Sequence, residues 1–189
     1  MRALTLQPVV KHTYSDYAAI PPDRARWELI EGEFYVSPAP STFHQSLSGR
    51  LFFELTLALG KPGLAQVFAA PFDVILSPHD TVQPDLVVVR RARAQLITAR
   101  ALEGAPDLAI EILSPTSRVQ DRKVKRELYA RFGVREYWLV DPDEKTVEIL
   151  VLGAQTYDRH AVFAGRDTLL SAEFPQVQIE LAELFAPVV

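Results

Sequence analysis

Between Asp107 and Leu152 two apolar runs frame a basic, helix-patterned stretch, and that arrangement leaves few folds open. Leu108-Ala-Ile-Glu-Ile-Leu113 is apolar except for Glu111, and Tyr137 to Val140 is apolar throughout, as a central strand buried on both faces should be. Runs this short, bounded by turn residues, read as strands. Between them Ser117-Arg-Val-Gln120 matches a capping box that opens a helix running to Phe132, with Gly133 as its C-terminal stop. Asp141-Pro-Asp-Glu-Lys145 is then a turn, and Thr146 to Leu152 returns as a partner strand.

The rest of the chain adds to this sheet. Trp27-Glu-Leu-Ile30, Glu31-Gly32 and Glu33-Phe-Tyr-Val36 read as a β-hairpin. A helix follows Ser41 or Thr42, with Phe43, Leu47, Leu51, Leu55 and Leu59 every four residues and Gly60 and Pro62 to end it. Phe68, Ala70, Phe72, Val74 and Leu76 alternate as one strand face, Ser77 to Asp80 is a turn, and Asp85 to Val89 is a short valine-rich strand. From Tyr157 onward one or two short strands and a last helical turn near Leu181 to Phe185 are expected. The predicted class is α/β (α+β): a mixed sheet flanked by helices, with an N-terminal hairpin and a C-terminal β extension. Residues 1–189 suffice for a single domain with a sizeable core.

Composition narrows the chemistry. The chain has no cysteine, so disulfides, zinc–thiolate sites and thiol nucleophiles are excluded. No signal-peptide succession opens it, and no apolar run approaches the roughly 18–20 residues that span a bilayer. A cytoplasmic protein without membrane association is the expectation. Phosphate-loop, dinucleotide-binding, G-x-S-x-G and H-E-x-x-H motifs are all missing. The net charge of −4 argues against a general nucleic-acid coat, yet Pro115 to Arg135 carries seven basic residues and two acids. Such a run is either a solvated helix face or a local basic surface.

Three polar groups occupy places that the pattern gives to apolar ones. Glu111 interrupts a buried strand, where a carboxylate costs several kcal/mol unless it is paired, hydrogen-bonded or metal-bound. Asp85 shares a strand face with Val87 and Val89. At about 100° per residue from Asp121, Lys125 falls at about 40°, inside the stripe of Val124, Leu128 and Phe132, whereas Lys123 faces the opposite way. Two inward carboxylates with an inward lysine suit a hard divalent ion, Mg²⁺ or Mn²⁺, that activates water against a phosphodiester. A buried salt bridge between Lys125 and one of the acids accounts for the same residues without chemistry.

The motifs extend beyond these three. Trp27-Glu-Leu-Ile-Glu-Gly-Glu33, Val36-Ser-Pro38 with His44, Gln83-Pro-Asp-Leu86, Glu111-Ile-Leu-Ser-Pro115, Asp121 with Lys125 and Tyr129, and Gly133-Val-Arg-Glu-Tyr-Trp-Leu-Val-Asp-Pro142 together resemble the Uma-two family of restriction-endonuclease-like proteins, within the PD-(D/E)XK nuclease superfamily. The resemblance implies a restriction-endonuclease-like fold with Asp85 and Glu111 as metal ligands. The superfamily's usual lysine position, two residues past the acid, is Leu113 here, so Lys125 would have to reach the same space from the helix.

Two readings follow. In the first the protein is a Mg²⁺- or Mn²⁺-dependent DNA endonuclease. Asp85, Glu111 and the Ile112 carbonyl hold the metal, Lys125 positions water, and Arg118 and Arg122 meet the nucleic-acid backbone. A homodimer is expected for cutting both strands. Glu28, His44, Asp121 and Tyr129 are supporting candidates, although an exposed hairpin charge is the plainer account of Glu28 and a surface or capping role that of His44. In the second reading the chain is a non-catalytic nucleic-acid-binding or protein-interaction module that keeps the nuclease fold and uses the acid–lysine cluster as structure.

Overall fold

The structure, a computed structural model, describes residues 10–21 and 25–188. A single helical turn, α1 (Tyr14–Ala18), precedes the hairpin β1 (Arg26–Ile30) and β2 (Glu33–Ser37). Glu31 and Gly32 both take positive φ, 52° and 80°, the backbone that lets a two-residue turn follow the twist of its strands. Ser41 caps α2 (Thr42–Leu55), its Oγ accepting from the His44 amide at 3.2 Å. A π-helical turn, Thr56–Gly60, extends α2 and carries Leu59 onto the buried stripe of Leu47, Leu51 and Leu55.

The predicted strand from Phe68 to Leu76 is divided. β3 (Ala65–Ala69) ends at a cis Ala70–Pro71 bond, and β4 (Asp73–Ser77) belongs to a different sheet. The proline brings no amide donor to continue the ladder, so the apolar alternation crosses a sheet boundary. β5 (Asp80–Val82), β6 (Leu86–Arg90), β7 (Ala101–Glu103) and β8 (Leu108–Ile112) follow. The predicted basic helix begins as a π-helical turn, Gln120–Lys125, and continues as α3 (Arg126–Phe132), which Gly133 ends at φ 80°. The expected capping box is absent. Ser117 Oγ instead accepts from the Ser114 amide at 3.2 Å, because Ser114 and Ser117 satisfy one another across the preceding turn. β9 (Glu136–Asp141), β10 (Thr146–Leu152), β11 (Tyr157–Ala164), β12 (Thr168–Leu170), β13 (Gln178–Glu180) and the short α4 (Leu181–Leu184) complete the chain.

Six strands form the central sheet, in the order β11-β10-β9-β8-β6-β3, with β8 and β9 parallel across the α3 connection. Alternate residues send its apolar side chains to opposite faces. Leu86, Val88, Leu108 and Ile110 pack against the α2 leucines and the C-terminal Phe174 and Leu181. Val87, Val89, Ala109 and Leu113 pack on the other side against Leu128 and Tyr129 of α3, and against Ile30, Val74 and Val82. Those last three come from a five-stranded sheet, β2-β1-β5-β4-β7. Glu111 lies between Ala109 and Leu113, on this second face. Among the described residues no helix is long and apolar enough to cross a membrane.

Candidate active site

The second face opens at the C-terminal end of β8 into a cavity of about 530 Å³, with Arg26, His44, Asp85, Glu111, Asp121 and Lys125 in its lining. Asp85 stands immediately before β6, which runs beside β8 with Leu86 opposite Ile110. That pairing brings Asp85 next to Glu111, as the alternation predicts. The Ile112 amide donates to Asp85 Oδ2 at 2.8 Å, and His44 Nε2 lies 3.2 Å from the same oxygen. The other oxygen, Oδ1, is 2.6 Å from Arg26 Nη1.

Lys125 reaches the site from the π-helical turn. Its ammonium is 2.9 Å from Glu111 Oε1, 2.9 Å from Glu28 Oε1 and 3.5 Å from Asp121 Oδ1. The helix thus delivers a lysine to the acid although the strand carries Leu113 at the usual place. A π-helical turn winds more loosely than an α-helix and is frequent at functional sites. Here it holds Asp121 and Lys125 together on the side facing the sheet. Tyr129, one turn further, donates to Glu111 Oε1 at 2.8 Å.

Glu28 is not an exposed hairpin charge. It is 1% exposed, and its Oε1 also accepts the Gln83 amide at 2.9 Å. Along β1 it alternates with Arg26 and Ile30, and Ile30 enters the core shared by the two sheets. His44 likewise leaves the surface and meets Asp85. Arg26 has no counterpart in the sequence-based reading. Its alternation with Glu28 and Ile30 was the available signal, but Leu29 is buried as well and blurs the strand's two faces.

Arg118 and Arg122 differ from expectation in their charge. Arg118 is paired with Asp141 and with Asp143, the latter at 2.9 Å, and Arg122 with Glu148 at 2.8 Å. Acids of β9, β10 and the turn between them locally offset both guanidiniums. Arg118 and Arg122 thus tie the π-helical turn and the residues just before it to the sheet.

The electrostatics of the floor are unbalanced. Four buried carboxylates, Glu28, Asp85, Glu111 and Asp121, face two permanent cations, Arg26 and Lys125. Burial alone would raise Asp85, but the His44 hydrogen bond and the Arg26 charge hold it well below the usual carboxylate range. Burial would lower Lys125, yet Glu111, Glu28 and Asp121 keep it above the ordinary lysine value, so it stays an ammonium. Glu111 behaves oppositely. Burial pushes it up to about 8 in spite of Lys125, and Asp121, Asp85 and Glu28 push the same way. Burial also raises Asp121, against Lys125 and Ser117. Among the described residues, Glu28 Oε2 and Asp121 Oδ1 are buried without a hydrogen-bond partner.

These features fit a divalent cation in kind. The donors are carboxylate oxygens, and the floor carries more negative than positive charge. They do not yet form a cage: among the described residues no three His, Asp or Glu side chains converge on one ion position. Arg26 and Lys125 hold the carboxylates instead.

The fold and this arrangement define a restriction-endonuclease-like protein. The chain belongs to the Uma2 family, described as putative restriction endonucleases, which it matches over residues 14–182. It shares its fold with the crystal structure of a putative nuclease belonging to DUF820 from Anabaena variabilis. The TM-score is 0.77 at 22% identity, over 95% of this chain and 98% of that one. No curated protein matches the chain.

Proposed function

We propose that the chain is a divalent-metal-dependent nuclease that hydrolyses phosphodiester bonds of DNA, with Asp85, Glu111 and Lys125 as its centre. The observation that carries this reading is the meeting of Lys125 with Glu111 at 2.9 Å, beside Asp85, on a cavity floor short of positive charge. Asp85, Glu111 and the Ile112 carbonyl would hold Mg²⁺ or Mn²⁺. The ion, when bound, acidifies water and polarises the phosphodiester.

The remaining work falls to the chain. The Ile112 amide and His44 hold one oxygen of Asp85, and Lys125 and Tyr129 hold one oxygen of Glu111, so both carboxylates are oriented before a ligand arrives. Lys125, kept cationic by its three acids, serves as a fixed positive charge rather than as a base. It orients the attacking water and offsets the negative charge that grows on the phosphoryl oxygens as the water oxygen bonds to phosphorus and gives its proton to solvent, while the ester P–O bond breaks and the leaving oxygen takes a proton from solvent. Glu28 and Asp121 hold Lys125 in place.

The test is cleavage of supercoiled plasmid and of single-stranded DNA in Mg²⁺ or Mn²⁺, with wild type beside Glu111→Gln and Lys125→Ala. Cutting that needs the ion and is lost in both folded variants is the expected result. Each chain offers one site, so linear product in a single event would require two copies. The second reading, a non-catalytic module, draws on the same ion pairs: Lys125 has acids on three sides, as a structural network would. Absence of cutting on every substrate, with both variants destabilised, would favour it.

A further inference from the structure

The two candidate ligands share a feature that their individual contacts do not reveal. In each, one carboxylate oxygen is held by the scaffold: Asp85 Oδ2 by the Ile112 amide and His44, Glu111 Oε1 by Lys125 and Tyr129. The other oxygen of each faces a single guanidinium. Arg26 Nη1 is 2.6 Å from Asp85 Oδ1, and Arg26 Nη2 is 3.8 Å from Glu111 Oε2. Among the described residues Arg26 is the only cation that bridges these two oxygens.

Arg26 is also the less embedded of the two cations. Its side chain is 23% exposed against 3% for Lys125, and it lines the cavity. Among the described residues its Nε is buried without a hydrogen-bond partner, and the ion-pair partners of the guanidinium are the two carboxylates. It stands at the first residue of β1, tethered to the cavity wall by the length of its side chain.

We propose that Arg26 is a built-in counter-cation that occupies the metal's place between Asp85 and Glu111 and must be displaced for an ion to bind. This inference rests on the metal reading of the site. A resident guanidinium keeps two facing carboxylate oxygens from standing unpaired when no ion is present, and it sets the ion's affinity below what the carboxylates alone would give. Whatever binds in competition with an internal group is weakened by that group's own affinity for the site. Metal occupancy then depends on the ion concentration, and the metal-free protein folds around an intact ion pair.

The experiment is calorimetric titration of wild type, Arg26→Met and Arg26→Lys with Mn²⁺ at one pH, with thermal melting of each with and without Mn²⁺. Asp85→Asn in each background reports whether the binding is at this site. Arg26→Met should melt below wild type without metal, bind Mn²⁺ about tenfold tighter or more, and gain more on saturation with Mn²⁺ than wild type does. Arg26→Lys should fall between the two, and it carries the comparison if Arg26→Met does not fold without the ion. Binding by wild type with equal or weaker binding by the variants would overturn the placeholder role and leave the metal reading standing. Binding by neither wild type nor variants would overturn both. Binding by Arg26→Met alone would support the inference in its strongest form.

Discussion

Removing the Lys125 ammonium tests the electrostatic account of the floor without reference to any substrate. In Lys125→Met the aliphatic stem is kept and the charge lost. At 2.9 Å from Glu111 and from Glu28, each contact is worth roughly 6 kcal/mol of gross attraction at an effective dielectric of about 20. Desolvation of the ammonium cancels much of that, so the net cost follows from the carboxylates left behind without a cation, about 3–5 kcal/mol. For a chain of this size that lowers the melting temperature by roughly 6–20 °C. The measurement is urea unfolding near pH 9, where Glu111 is ionised, followed by circular dichroism, with Lys125→Met/Glu111→Gln alongside. The double variant removes one stranded charge and should recover at least about 1 kcal/mol. A shift of less than about 1 kcal/mol in Lys125→Met would refute the reasoning, because Glu111 and Glu28 would then not depend on Lys125.

Further outcomes can be checked independently. Glu111 rises from 4.5 to about 8 in the folded state, so below about pH 8 the metal-free native protein holds a proton that the unfolded chain releases above pH 4.5. Stability from this group is therefore complete below pH 4.5 and lost as pH rises toward 8, and urea midpoints should show a fall that Glu111→Gln flattens. The same proton competes with metal, so apparent Mn²⁺ affinity should weaken as pH is lowered below about 8, by up to about tenfold per unit, in calorimetric titrations. Glu136 is buried and accepts from Trp138 Nε1, Ser171 Oγ and the Ala172 and Glu173 amides, so Glu136→Ala should cost about 3 kcal/mol or more in urea and speed hydrogen exchange at Ala172 and Glu173. Gly133 takes φ 80° with open space around its missing Cβ, so Gly133→Ala should cost about 1 kcal/mol through backbone strain alone, read as a small drop in the urea midpoint.

Much of this architecture is legible in the chain. The runs Leu108–Leu113 and Tyr137–Val140 state two buried strands outright, and the leucines of α2 declare its inner face because their spacing outlasts local irregularity. Asp85, Glu111 and Lys125 are visible for one reason: each is a charged residue in a period that otherwise selects apolar ones. Glu28 reads as no more than a supporting candidate, and Arg26 escapes, because β1 buries side chains from both of its faces, so alternation no longer separates inward from outward. His44 reads as no more than a supporting candidate because a histidine in a helix's first turn reads the same whether it meets solvent or Asp85. The division between β3 and β4 is hidden because the alternation of Phe68, Phe72 and Val74 persists through the Ala70–Pro71 bond, while the sheet partner changes. Arg118 and Arg122 looked available because their partners, Asp141, Asp143 and Glu148, are more than twenty residues away and reach them only in the fold.

The most direct test of the central claim is a crystal of the protein soaked in Mn²⁺ and measured at the manganese absorption edge. An anomalous peak in contact with Asp85 and Glu111 is expected, with Arg26 turned away from Asp85 and Lys125 still on Glu111. A cluster with no peak there, and with Arg26 unmoved at saturating Mn²⁺, would contradict that claim and leave these residues as a structural network.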